Sequence, residues 1–101
     1  MQSNSKLFDQ ALSLLNSKSY IESIEIFKQD LMENPNEPTT YNNIGFAQAN
    51  LGITQKDKSL LESAIQHFQK AIAITELNPG KSYPIAENNL KWAREELIQL
   101  T

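Results

Sequence analysis

His67 is the residue with the widest chemical scope in this chain. It lies in the run Gln66-His67-Phe68-Gln69 and could serve as a general base or a metal ligand. Either role needs converging partners, because a base must be oriented and a transition metal takes several nitrogen or sulfur ligands. The chain has one histidine and no cysteine. We therefore interpret His67 as a surface or interhelical imidazole, and we expect no metal and no cofactor.

The carboxylates could in principle provide the paired acids of a hydrolase. They are Glu22, Glu25, Asp30, Glu33, Glu62, Glu76, Glu87, Glu95 and Glu96, together with three acidic residues nearer the turns and the N-terminus. Their even spread is typical of solvated helix faces, and Glu87 with Lys91 makes an ordinary i, i+4 pair. The three glycines are isolated, so no phosphate-binding loop is predicted. We expect the protein not to be an enzyme.

Length and charge narrow the possible functions. A chain of 101 residues fits a single domain, and its formal net charge is −3. The nine basic residues are scattered, whereas nucleic-acid and lipid-surface binding need clustered positive charge. The polar start lacks the apolar core of a signal peptide, and no apolar run approaches the roughly 20 residues of a membrane span. These features predict a cytoplasmic protein that binds neither nucleic acid nor membranes.

Hydrophobic spacing predicts five amphipathic helices. Apolar residues recur with a period near 3.6, and no segment alternates as a strand would. Turn residues interrupt the pattern around Asn16–Ser19, Asn34–Pro38, Gly52 and Asn78–Ser82. The predicted helices span about 4–16, 20–33, 38–51, 56–77 and 83–100.

Helix-end residues support these boundaries. Pro38 and Pro84 suit a first helical turn, and Gly52 and Gly80 suit a helix C-terminus. For the start of the fourth helix, two capping patterns compete, one beginning at Ser59 and one at Thr54.

The chain also repeats itself. Two offsets relate its halves. An offset of 34 positions relates Leu7, Gln10 and Ala11 to Tyr41, Ile44 and Gly45. A longer offset of 41 positions relates Ser23 and Phe27 to Ala64 and Phe68. The difference predicts a seven-residue insertion after Gly52, within 53–63. Residues 87–93 echo 41–47 a third time, with Lys91 replacing the small residue. A lysine there prevents close helix approach, so this last helix is predicted to be a solvated cap.

A period near 34 residues built from paired helices resembles the tetratricopeptide repeat family. The residues that carry the resemblance are Leu7, Ala11, Leu14, Tyr20, Ser23, Phe27 and Pro35, then Tyr41, Ile44, Gly45, Gly52, Ala64, Phe68 and Ala71. Asp30 and Gln48 depart from the family pattern, which usually has alanine and often has tyrosine there. The resemblance implies an all-α fold of antiparallel helix hairpins stacked as a right-handed superhelix. One domain would hold repeat 1 at about 4–37, repeat 2 at about 38–79 and a capping helix at about 83–100.

The family arrangement also implies a concave groove lined by the leading helix of each unit. The groove residues predicted from the resemblance are Phe8, Leu12, Asn42, Phe46, Asn50, Asn88 and Trp92, with Ser5 at the N-terminal edge. An alternative is that Phe46 and Trp92 only pack between helices, with Trp92 sealing the cap. The clamp by which some family members grip chaperone tails is not matched: of its positions, only Asn43 fits.

The predicted function is therefore a non-catalytic protein-binding adaptor or scaffold. It would hold a peptide or a helix of a partner protein, and the acidic balance favours a neutral or basic segment. The alternative is structural self-association into a homo-oligomer through the ends of the short array.

Overall fold

The computed structural model describes residues 6–101, and this part of the chain forms five α-helices without strands. The helices are α1 Lys6–Asn16, α2 Tyr20–Glu33, α3 Pro38–Gln55, α4 Lys58–Glu76 and α5 Pro84–Leu100. The predicted all-α class and the number of helices are confirmed. The predicted helix start at residue 4 and the groove position Ser5 lie outside the described residues.

The helix ends follow local backbone chemistry. Pro38 and Pro84 begin α3 and α5, as predicted. Gly80 has φ +80°, which places it in the left-handed region that glycine occupies without strain. Lys18 and Lys56 also adopt positive φ, at 63° and 54°, in the two short turns that close the helix hairpins.

Two predicted boundaries around the second hairpin are wrong. α3 does not end at Gly52 but continues to Gln55, and Lys56 takes the left-handed conformation after it. Neither Ser59 nor Thr54 caps α4. The cap is Asp57, whose carboxylate accepts from the backbone N–H of Ser59 at 3.0 Å and of Leu60 at 3.3 Å, because a carboxylate suits the positive end of a helix.

Gly52 instead serves a close contact between α3 and α4. A methyl group at this position would lie 2.9 Å from Leu61 Cγ and 3.1 Å from Asp57 O. Gly45 has the same role two turns earlier, where a methyl group would lie 2.7 Å from Phe68 Cε1. The two glycines let the backbones of α3 and α4 approach each other closely. Glycine is needed at these positions because it is small, not because its backbone is flexible.

Successive helices pack against each other, and α3 also contacts α1 and α5. Two clusters form the core. The first consists of Ala11, Leu15, Phe27, Ile44 and Ala47, and the second of Ala49, Leu61, Ala64, Phe68 and Ala93. α3 contributes to both clusters, which makes it the central element. No helix of the described part combines the length and the apolar character needed to cross a bilayer.

Asp30 is buried at the junction between α2 and α3. The Thr40 hydroxyl donates to Asp30 Oδ2 at 3.1 Å, and the Asn34 amide donates to Oδ1 at 3.3 Å. Buried polar groups are tolerated when they are hydrogen-bonded. Asp30 stands where the family pattern usually has alanine, and Thr40 provides the hydrogen bond that its buried carboxylate needs. This bond joins the end of α2 to the start of α3.

Candidate functional site

An aromatic pair bridges α3 and α5. The rings of Phe46 and Trp92 have centroids 5.9 Å apart and planes inclined by 38°. Trp92 packs against the second core cluster, whereas Phe46 leaves 37% of its surface exposed. A half-buried tryptophan beside an accessible phenylalanine is a rigid apolar surface that a partner can cover.

A partly buried amide pair fixes the alignment of the same two helices. Asn89 Nδ2 donates to Asn42 Oδ1 at 3.1 Å, and Asn42 is 6% exposed. The two contacts join Asn42 to Asn89 and Phe46 to Trp92. Residue numbers therefore increase in the same direction along both helices, so α3 and α5 run parallel with their side chains in register. Because a buried amide loses hydrogen bonds if the helices slide, the pair holds this register.

Polar side chains border the aromatic pair. Asn50 Nδ2 donates to the Phe46 carbonyl at 2.9 Å, which leaves Asn50 Oδ1 available as an acceptor. Asn88 is exposed one helical turn before Trp92 on α5. Asn42 is committed to Asn89 and contributes to the alignment of the helices.

Ile85 is a further exposed apolar residue of α5, and the sequence analysis did not select it. It is 63% exposed and lies seven positions before Trp92. Residues seven apart share a helix face, so this spacing is the signal that could have identified it. Phe46 and Trp92 together are called the apolar slot below.

The two predicted groove residues of α1 lie against the first core cluster. Phe8 makes an edge-to-face contact with Phe27, with ring centroids 5.7 Å apart, and Leu12 packs against the same cluster. Both are half-buried. The structure thus pairs Asn42 with Asn89 and Phe46 with Trp92. Phe8 and Leu12 instead pack α1 against the first core cluster. The binding role of the seven groove residues stays a prediction.

His67 lies on α4, and its side chain contacts α3. Its Nδ1 is 2.8 Å from Gln48 Oε1 and 2.9 Å from the Ser63 carbonyl oxygen. Both partners are acceptors, so Nδ1 carries a proton and donates to them, and the neutral ring is unprotonated at Nε2. The ring also stacks on Tyr41, with centroids 6.2 Å apart.

These contacts give His67 a structural task. Gln48 interrupted the apolar pattern of α3, and His67 is its hydrogen-bonding partner nineteen residues later. No local sequence signal links the two. Within residues 6–101, no group of three or more histidine, cysteine, aspartate or glutamate side chains is placed to hold a metal ion.

The surroundings lower the pKa of His67. Burial is the largest cause, the hydrogen bond to the Ser63 carbonyl acts in the opposite direction, and the positive charge of Lys28 lowers the pKa further. A lowered pKa in the folded protein means that the unfolded chain binds more protons once the pH falls below about 6.5, the ordinary histidine value. The folded state therefore loses stability as the pH falls from neutral.

We expect the free energy of unfolding to decrease between pH 7.5 and pH 5.5, and His67→Gln to reduce this decrease. Glutamine is neutral at both pH values, so the variant lacks the proton that drives the effect. Urea unfolding of both proteins at the two pH values measures it. An equal pH dependence in the variant would show that His67 does not contribute.

Comparison with known proteins adds no relative: no protein-family model, no curated protein and no solved structure matches this chain.

Proposed function

We propose that this chain is a binding module of the tetratricopeptide type that holds a segment of another protein across α3 and α5. The observation that carries the proposal is the apolar slot, in which accessible Phe46 packs against half-buried Trp92 across two parallel helices. Few residues usually supply most of the affinity of a protein interface, and large aromatic residues are prominent among them.

Sequence and packing support the repeat assignment in different ways. The offset of 34 residues relates Leu7 and Ala11 to Tyr41 and Gly45. The related positions Ala11 and Gly45 are both buried at helix contacts, as small residues in a repeated hairpin should be. The central helix α3 contacts both α1 and α5, which suits a stack of leading helices.

Binding would cover apolar surface that is now in contact with water. Burial of apolar area contributes roughly 25 cal/mol per Å², before the entropic costs of association are subtracted. Asn50 Oδ1 and the Asn88 amide can hydrogen-bond to a partner at the edge of the slot. The slot would therefore provide affinity, and the amides would orient the bound segment.

The test is quantitative affinity capture with the native chain and with Phe46→Asp and Trp92→Asp. A carboxylate in the slot would have to be desolvated by a bound partner, so we expect the capture of true partners to fall at least about tenfold. Each variant is first shown to be folded by circular dichroism and thermal unfolding.

Ile98→Asp is the matched control. Ile98 is 70% exposed on the same helix, but it lies six positions after Trp92 and thus about 120° around α5. Partners that bind through the slot should be retained by this variant. Equal capture by the native chain and by folded slot variants would remove the slot from the function.

Self-association is the second candidate, and exposed apolar residues on the outer helices favour it. Ile21 and Met32 on α2 are 60% and 84% exposed, and Ile98 is exposed on α5. Copies stacked through these faces would bury them. Light scattering across a range of protein concentrations decides between the candidates, since a constant monomer mass contradicts self-association.

A further inference from the structure

A cluster of basic and aromatic residues lies on the side of α3 away from the apolar slot. Tyr41 precedes Phe46 by five positions, which places it about 140° around the helix. The Tyr41 ring stacks on His67 with centroids 6.2 Å apart, and Lys70 Nζ lies 6.0 Å from the centroid of the Tyr41 ring. Lys28 on α2 is close enough for its positive charge to lower the pKa of His67. Lys28, Tyr41, His67 and Lys70 together are called the basic face.

His67 turns one ring nitrogen into the protein and leaves the other open to solvent. Nδ1 donates to Gln48 Oε1 and to the Ser63 carbonyl oxygen, which fixes the orientation of the ring. Nε2 has no hydrogen-bonding partner within residues 6–101. It is also not enclosed, since Ser23 Oγ is the only enclosed side-chain nitrogen or oxygen without a partner in that range. Protonation would therefore add a donor at Nε2 without breaking either existing hydrogen bond.

Neither lysine of the basic face is neutralised by a carboxylate. Lys28 and Lys70 are exposed and form no ion pair within the described residues. The carboxylates of α4 are Glu62 and Glu76, five positions before and nine positions after His67. They are thus about 140° and about 180° around the helix from the imidazole. Lys70, by contrast, follows His67 by three positions, so the two side chains are neighbours on the helix surface.

The other helices near His67 add little negative charge to the basic face. The carboxylates on α2 and at the start of α3 are Glu22, Glu25, Asp30, Glu33 and Glu37. Asp30 is buried and accepts from Thr40, and Glu22 and Glu33 lie about 120–140° around α2 from Lys28. Glu25 and Glu37 pair with neither lysine, and no charge on α3 or α5 shifts the pKa of His67. The basic face thus holds a local excess of positive charge in a chain of net charge −3.

We propose that the basic face binds a phosphate group, with Lys28 and Lys70 supplying positive charge and protonated His67 donating from Nε2. Neutral His67 presents a lone pair at Nε2, which repels an anion, so binding is coupled to the uptake of a proton. Two lysines and an imidazolium exceed the single charge of a carboxylate and suit the charge of about −1.5 to −2 on a phosphate monoester. Because this face is separate from the apolar slot, the inference does not depend on the proposed function.

The single histidine of the chain makes the first test direct, because one Cε1–H signal in the proton NMR spectrum follows the titration of His67. The chain, without a histidine tag, is titrated from about pH 5 to about pH 8, around the ordinary histidine value. Sodium sulfate, a phosphate analogue whose charge is constant in this range, is compared with sodium chloride of equal ionic strength. We expect the titration midpoint at higher pH in sulfate, because a bound anion favours the protonated ring. Equal midpoints would overturn the site, since screening alone acts equally in both salts.

The double variant Lys28→Gln, Lys70→Gln tests the lysines. Both residues are exposed, so their replacement leaves the core intact. The matched control is Lys58→Gln, Lys91→Gln, which removes the same charge from exposed positions on α4 and α5. The difference between sulfate and chloride should disappear in the first variant and persist in the control. Its loss in both would show that net charge rather than the basic face attracts the anion.

Affinity measurements test the coupling to the proton and the source of the phosphate group. Shifts of backbone amide signals in isotopically labelled protein give the affinity for sulfate, which should be at least about threefold higher at pH 5.5 than at pH 8. His67→Gln should remove this dependence, and its persistence would exclude His67 from the site. Inorganic phosphate and N-acetyl-phosphoserine amide are then compared. Tighter binding of the second supports a phosphorylated side chain as the ligand, and equal binding supports the free anion. Signal changes with either compound that avoid the basic face would overturn the proposal.

Discussion

Replacement of Phe68 by alanine should lower the free energy of unfolding by about 3–5 kcal/mol. Phe68 is fully buried in the second core cluster, where its ring lies against Gly45. The substitution removes the transfer free energy of the ring and leaves a cavity that the close contact between α3 and α4 cannot fill. Small domains have a total stability of roughly 5–15 kcal/mol, so this one change removes a large part of it.

Phe46→Ala is the matched control for Phe68→Ala. It deletes the same atoms from a position that is 37% exposed, and it should cost less than about half as much, because part of the ring is already in water. Urea unfolding followed by circular dichroism gives both values. Equal losses in the two variants would contradict the division between core and surface phenylalanines.

Gly45→Val should destabilise the fold by about 3 kcal/mol. The first added carbon alone would lie 2.7 Å from Phe68 Cε1 and 3.1 Å from the Ala64 carbonyl oxygen. The oxygen belongs to the backbone of α4 and cannot rotate away, so α3 and α4 must separate. The small gain in helix propensity over glycine, a few tenths of a kcal/mol, does not offset this. Thermal unfolding measures the difference.

Gly80→Ala is the control for Gly45→Val. No atom lies within 4 Å of the methyl group that it adds, and its cost arises only from the left-handed backbone, about 1–2 kcal/mol. If Gly80→Ala were the more destabilising of the two, glycine would matter in this protein through its conformation rather than through helix approach.

The sequence was sufficient to predict four of the helices because α1, α2, α4 and α5 each have a periodic apolar face. α3 is buried on several sides and lacks such a face, and turn residues at its two ends identify it instead. α2 matches its predicted limits, Tyr20 to Glu33, at both ends. The predicted α3 is too short because glycine is a residue type that commonly ends helices. Only the packing of Leu61 against Gly52 shows that this glycine serves a contact between helices. Local patterns thus identify a glycine but not the neighbour that requires it.

The sequence was sufficient to select Phe46 and Trp92 as candidate residues, but it did not predict that their rings are in contact. Repeat spacing placed Phe46 and Trp92 on related helices. Their contact depends on the lateral register of α3 and α5, which Asn42 and Asn89 hold from positions 47 residues apart. Gln48 and His67 present the same limit, because each is an isolated polar residue in the sequence and only the packing of the two helices brings them together.

The short turn between α3 and α4 has a consequence for how the chain folds. Only Lys56 and Asp57 separate these helices, which are the longest two and which meet through Gly45 and Gly52. The contact between Gly52 and Leu61, next to the turn, spans few residues, and such contacts form early because little loop entropy is lost. We expect this hairpin to be the folding nucleus, onto which α1, α2 and α5 dock. Substitutions within it should then slow folding, whereas those in α5 should mainly accelerate unfolding.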